Sequence, residues 1–123
     1  TVKAFEDPAY IALSTTRGTT IGGGVNYTIE DATNSYAATT TGTVAGTDLE
    51  RVSGGSVTGN YVKINAGQTA TFKLTVYFNA ALTDTYRAQL YSVNFAGSAI
   101  AADTQELVTP TEDYQTGSVQ VQN

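Results

Sequence analysis

Residues 65–82, NAGQTATFKLTVYFNAAL, alternate more strictly than any other stretch of the chain. Ala70, Phe72, Leu74, Val76 and Phe78 occupy every second position, and Thr69, Thr71, Lys73, Thr75 and Tyr77 fill the gaps. Successive side chains of a strand point to opposite faces, so this pattern specifies a strand with one buried face and one wet face. The composition agrees. Charged residues make up only 14% of the chain, and Thr, Gly, Ala, Ser and Asn take their place. Threonine-faced strands and glycine turns fit that balance better than helices, which usually carry more Leu, Glu, Lys and Arg.

Other segments read the same way. Ala9, Ile11 and Leu13 alternate within TVKAFEDPAYIALSTT (1–16), which Glu6-Asp7-Pro8 divides into two short strand candidates. RGTTIGGG (17–24) reads as a glycine-rich hinge or irregular turn. VNYTIE (25–30) places Val25, Tyr27 and Ile29 on one face, with Glu30-Asp31 ending it. Residues 35–59 are weakly patterned; two or three short strands are expected, separated by turns at Gly42, Gly46, Gly54-Gly55 and Gly59. NYVKINAGQ (60–68) is a further strand and turn.

TYRAQLYSVNFAG (85–97) is the second strong strand, and its pattern slips. Tyr86, Ala88 and Leu90 keep one phase, whereas Tyr91, Val93 and Phe95 keep the other. Such a change of phase implies a bulge, or a strand that crosses from one sheet to another. Residues 98–106 read as a polar loop, AIAADTQELV (99–108) is the best helix candidate, and Val119 and Val121 alternate in the closing TGSVQVQN. Short strands at this spacing, divided by glycine turns, point to an antiparallel sandwich. The length of 123 residues suits a single domain, 1–123, able to bury a core without disulfides.

The pair INAGQTATFKLTVYF (64–78) and TYRAQLYSVNFAG (85–97) resembles the last part of the immunoglobulin-like sandwich domains of bacterial and archaeal cell-surface proteins. In those domains an AGQTAT strand with alternating Leu and Val leads into a late strand beginning YR-x-x-L, and TPTEDYQTGSVQV (109–121) matches a closing edge strand. The resemblance covers about half the chain. It implies an all-β, antiparallel immunoglobulin-like β-sandwich of about 7–9 strands, and a protein that spans, stacks, adheres or polymerises. Fold analogy alone does not choose among these. Similar surface sandwiches also form lysine isopeptide bonds, for which Lys3, Lys63 and Lys73 are the only lysines here. Lys73 lies on the wet face of its strand, which argues against it.

Several function classes lose support. With no histidine and no cysteine, Ser-His-Asp and Cys-His arrangements cannot be built, and zinc, copper and haem sites lose their usual ligands. The glycines at 18–24 lack both the phosphate-loop and the dinucleotide pattern. Paired carboxylates remain, as glycosidases use them, but eleven acids give many unspecific pairs. The expectation is no enzyme and no cofactor. The net charge is −5, and six scattered basic residues form no stripe for phosphates or anionic lipid, so neither nucleic acid nor membrane insertion is expected. The sequence opens at Thr1 without Met, which reads as a removed leader or an excised domain, and with the low-lysine surface the expected location is extracellular or at the cell surface.

Three features carry candidate functions. The acidic doublets Glu6-Asp7, Glu30-Asp31 and Glu112-Asp113 supply the oxygens that calcium takes, although no DxDxDG loop is present and solvated turn acids are the plainer reading. Tyr77 and Tyr91 are expected near each other on neighbouring strands, where exposed rings would stack on a glycan; cross-strand pairing that stabilises the sheet is the plainer reading. Asn26-Tyr27-Thr28 also matches a glycosylation sequon, but by chance alone such triplets are common, and it is not counted among the three. The third feature is segment 1–16, an alternating strand joined to the rest by glycines. It reads either as an ordinary first strand paired in cis or as a strand exchanged with a neighbour, inserting Ala9, Ile11 and Leu13 and linking copies into a homopolymer. The function expected is therefore a structural subunit of a surface filament, pilus or surface layer, with a monomeric adhesion or carbohydrate-binding module as the alternative.

Overall fold

The computed structural model describes residues 1–20, 22–98, 105–108 and 114–122, with 105–108 as backbone alone. Among these residues there are twelve strands and no helix: β1 (Val2–Lys3), β2 (Ala9–Ala12), β3 (Thr15–Arg17), β4 (Val25–Asp31), β5 (Ala37–Thr39), β6 (Thr43–Gly54), β7 (Ser56–Thr58), β8 (Tyr61–Ile64), β9 (Thr69–Asn79), β10 (Asp84–Phe95), β11 (Gln105–Val108) and β12 (Val119–Val121). The count exceeds the expected 7–9 because the chain breaks several strands into pieces of two to four residues as it passes between sheets.

Three sheets result. One has the order β1-β9-β6, a second β11-β10-β4-β3 with β12 on β10 and β5 on β4, and a third β2-β8-β7. All pairings are antiparallel except β3 with β4. The opening alternation is realised as β9, whose Ala70, Phe72 and Leu74 join one apolar cluster and whose Leu74, Val76 and Phe78 join another. The first cluster draws Ile11, Val62 and Ile64 from the third sheet, Val25 and Val93 from the second, and Leu49 and Ala70 from the first. One core therefore holds all three sheets together, an all-β architecture compatible with a β-sandwich. In the second cluster the Phe78 and Tyr86 rings meet at 5.1 Å, and the Tyr86 hydroxyl donates to Leu82 O at 2.9 Å.

The phase slip in β10 is a bulge. Leu90 pairs with Tyr27 and Ser92 with Asn26, which leaves Tyr91 as the extra residue. Skipping it lets Leu90 and Val93 both reach the core. Gly46 is not a turn: β6 runs through it, with irregularities between Val44 and Gly46 and between Arg51 and Ser53. Gly54 and Gly55 do turn the chain, at φ of 71° and 63°, and a Cβ on Gly54 would strike Thr69 O. Of the helix candidate 99–108, residues 99–104 lie outside the described residues, and Gln105–Val108 is strand, paired with Ser92–Phe95. That pairing also corrects the polar loop drawn to 106.

Candidate functional site

The N-terminal segment contributes a strand to each of the three sheets. Val2 and Lys3 pair with Ala70 and Thr69 of β9. Ala9–Ala12 pairs with Tyr61–Ile64 of β8, and Tyr10 exchanges two backbone hydrogen bonds of 3.0 Å with Ala96 at the end of β10. Thr15–Arg17 runs parallel to Val25–Tyr27 of β4. Of the three residues expected to insert, Ile11 is 1% exposed and central to the core, while Ala9 and Leu13 pack against its margin. In this structure they fill the chain's own core, in cis.

The expected hinge is folded tightly onto the sheet. The Asn26 amide donates to Gly18 O at 3.0 Å and Thr20 O at 2.7 Å, and Gly18 N donates to Tyr27 O. Gly24, at φ 70°, lies so close to the β2–β3 backbone that a Cβ there would strike Ser14 O and Ala12 O. These contacts let a short loop return the chain alongside β3, which is how a parallel pair forms without a long crossover.

Arg17 fixes the far end of the segment. Its guanidinium donates to Thr39 O at 2.9 Å, Thr41 O at 3.0 Å and Gly42 O at 3.2 Å, and sits over the Phe78 ring. The sequence offered no signal for this clamp, because its acceptors are backbone carbonyls. A second clamp joins side chains: Arg87 pairs with buried Glu30 at 3.1 Å and lies 4.0 Å from the Tyr36 ring centroid. Tyr36 and Ser35 reach that position through left-handed backbone, at φ of 59° and 56°.

The calcium candidates are differently employed. Glu6 and Asp7 are exposed, Glu30 holds Arg87, and Asp31 Oδ1 accepts from Asn34 N at 2.8 Å and Asn34 Nδ2 at 2.7 Å. Asp31 also belongs to β4 and does not end it before 31. Glu112 and Asp113 lie outside the described residues. Among the described residues, no three acidic side chains gather as an ion site. Asp84, the first residue of β10, is held below the usual aspartate range by the Thr33 side chain and by the Thr85 backbone N–H.

Tyr77 is 59% exposed, but it is not beside Tyr91 on a neighbouring strand. β9 and β10 belong to different sheets, and Tyr91 is the half-buried bulge residue of β10. The two rings therefore share no sheet face, which corrects the expected platform. The sequon fails for a different reason: Asn26 is fully buried. Its Oδ1 accepts from Asn94 Nδ2 at 2.7 Å and Ser92 Oγ at 3.2 Å, so an enzyme acting on the folded chain has no access to its amide. Next to it, burial raises the Tyr27 phenol above its usual pKa, against the opposing pull of Arg17. None of the three lysines is buried, and Lys63 lies over the Tyr10 ring, so an isopeptide bond lacks the desolvated amine it needs.

A final feature concerns β9. Beyond Ala70, one of its edges carries no strand among the described residues. Beside it an apolar trough of about 530 Å³ lies between Leu74, Val76 and Phe78 of β9 and Tyr86, Ala88 and Leu90 of β10, with Tyr114, Val119 and Val121 of the C-terminal segment also lining it. A second hollow of about 330 Å³ continues toward Val2 and Phe5, with Leu74 and Leu90 shared by both. No protein-family model, curated protein or solved structure matches this chain.

Proposed function

We propose that this chain is an extracellular structural subunit with an immunoglobulin-like sandwich, which assembles into a surface filament or layer by exchanging its N-terminal segment. The observation that supports the reading is the threefold placement of that segment, with a strand in each sheet and Ile11 in the core. Cis and trans insertion make the same contacts, so the balance between them depends on linker strain and local concentration rather than on a new interface. Head-to-tail exchange need not close on itself, and a filament follows when it does not. Non-enzymatic function fits a chain without histidine or cysteine. The second reading, a monomeric adhesion or glycan-binding module, draws on exposed Tyr77.

Negative-stain electron microscopy with a competitor tests the choice. Filaments in the purified chain, shortened by excess synthetic peptide 1–16, are expected. Uniform small particles at all concentrations, with retention on a glycan array, would establish the monomeric module instead.

A further inference from the structure

Among the described residues the open edge of β9 is long and regular, and little protects it. Every β9 residue from Ala70 to Asn79 has a consecutive partner or bulge position on β6, and both irregularities of that ladder fall on the β6 side. β9 itself is therefore unbulged. Natural sheets guard such edges with proline, bulges, several charges or a covering segment. Thr1 still stands beside Thr71, their hydroxyls 3.0 Å apart, and beyond it Phe72–Asn79 contains one charge, Lys73, and no proline. Ala4 N donates to Gln68 O on the β1 side, and strand alternation then turns the main-chain groups of Phe72, Leu74, Val76 and Phe78 toward the open edge.

We propose that this edge pairs with the same edge of a second copy, β9 against β9, antiparallel about a twofold axis at Thr75. The sequence is self-complementary in that register. Phe72 faces the partner copy's Phe78 and Leu74 faces its Val76, all on the inner side, and their main-chain groups form the hydrogen-bonded pairs. On the outer side Lys73 faces Tyr77, placing a cation beside an exposed aromatic ring, and the two Lys73 backbone positions stand about 14 Å apart along the strand. The twofold also sets the larger trough of one copy against the smaller hollow of the other, covering apolar walls that each copy leaves open. A second copy is favoured over an unrelated strand because this register opposes apolar to apolar and places no like charges together. The contact is isologous, so it closes as a dimer, and it is independent of N-terminal exchange.

Cysteine cross-linking reads the register directly, since the chain has no cysteine of its own. Thr75 would form a non-hydrogen-bonded pair with its own copy, the close geometry a disulfide requires. Mild oxidation of Thr75→Cys is expected to give a covalent dimer on a denaturing gel. Lys73→Cys alone is expected to stay monomeric, whereas a mixture of Lys73→Cys and Tyr77→Cys variants cross-links. All three positions lie on the wet face, and circular dichroism of each variant verifies that it folds. Folded Thr75→Cys that remains monomeric, or Lys73→Cys cross-linking as readily as Thr75→Cys, would overturn the proposal. Thr75 coupling to any other position would identify a different occupant of the edge.

Discussion

Ile11 and Tyr27 show how far a single residue's role can be read from the pattern around it. Ile11 lies in a clear alternation and is as buried as its pattern implies, directly opposite Val62. Ile11→Ala removes three carbons from a closed core and is expected to cost about 2–5 kcal/mol, measured by denaturant unfolding. Tyr27 also alternates correctly, but its titration is set by depth. Its folded-state pKa is raised, so the neutral phenol contributes stability that is fully present below the ordinary tyrosine pKa. That contribution is lost as pH rises through the raised value. A stability profile above about pH 10 should therefore fall more steeply for the parent than for Tyr27→Phe. An equal slope in both would place the alkaline loss elsewhere. Asp84 acts at the opposite end: with its pKa lowered, its contribution is present above the ordinary aspartate pKa and lost as pH falls through the lowered value. Asp84→Asn should flatten that acid limb.

At the scale of elements, the bulge in β10 is the sharpest test of the packing. Tyr91 is supernumerary in the ladder, so deleting it leaves Leu90 opposite Tyr27 and Ser92 opposite Asn26. That variant is expected to fold, with a straighter β10. Deleting Gln89 instead turns Tyr86 and Ala88 to the wrong face and is expected to abolish the cooperative transition in thermal melts. The phase change at Leu90–Tyr91 was legible because period 2 leaves a mark when it slips, and β9 was legible because its two faces meet different solvents. β6 was not, because its inner face mixes Val44 and Leu49 with Thr47, Arg51 and Gly54, its two bulges break the alternation, and Gly46 resembles a turn until β9 is known to run beside it. The burial of Asn26 within its sequon was not legible either. Burial on the outer side of β4 comes from a loop folded over the sheet, and local sequence does not show that return. The pairing of Tyr77 with Tyr91 failed because consecutive strands β9 and β10 cross between sheets.

For the whole molecule, a single terminal segment ties three sheets around one core. Long-range pairing of this kind makes the ends of the chain decisive for stability, since β1, β2 and β3 each complete a sheet begun by later residues. The proposed exchange between copies would reuse these same contacts in trans. The direct cross-strand pair Tyr10–Lys63 tests it. Single-cysteine variants Tyr10→Cys and Lys63→Cys, mixed at high concentration and oxidised, report whether β2 of one chain lies on β8 of another. A disulfide-linked heterodimer is expected from the mixture. A bridge that forms only when both cysteines occupy one chain, with no cross-chain product from the mixture, would contradict it.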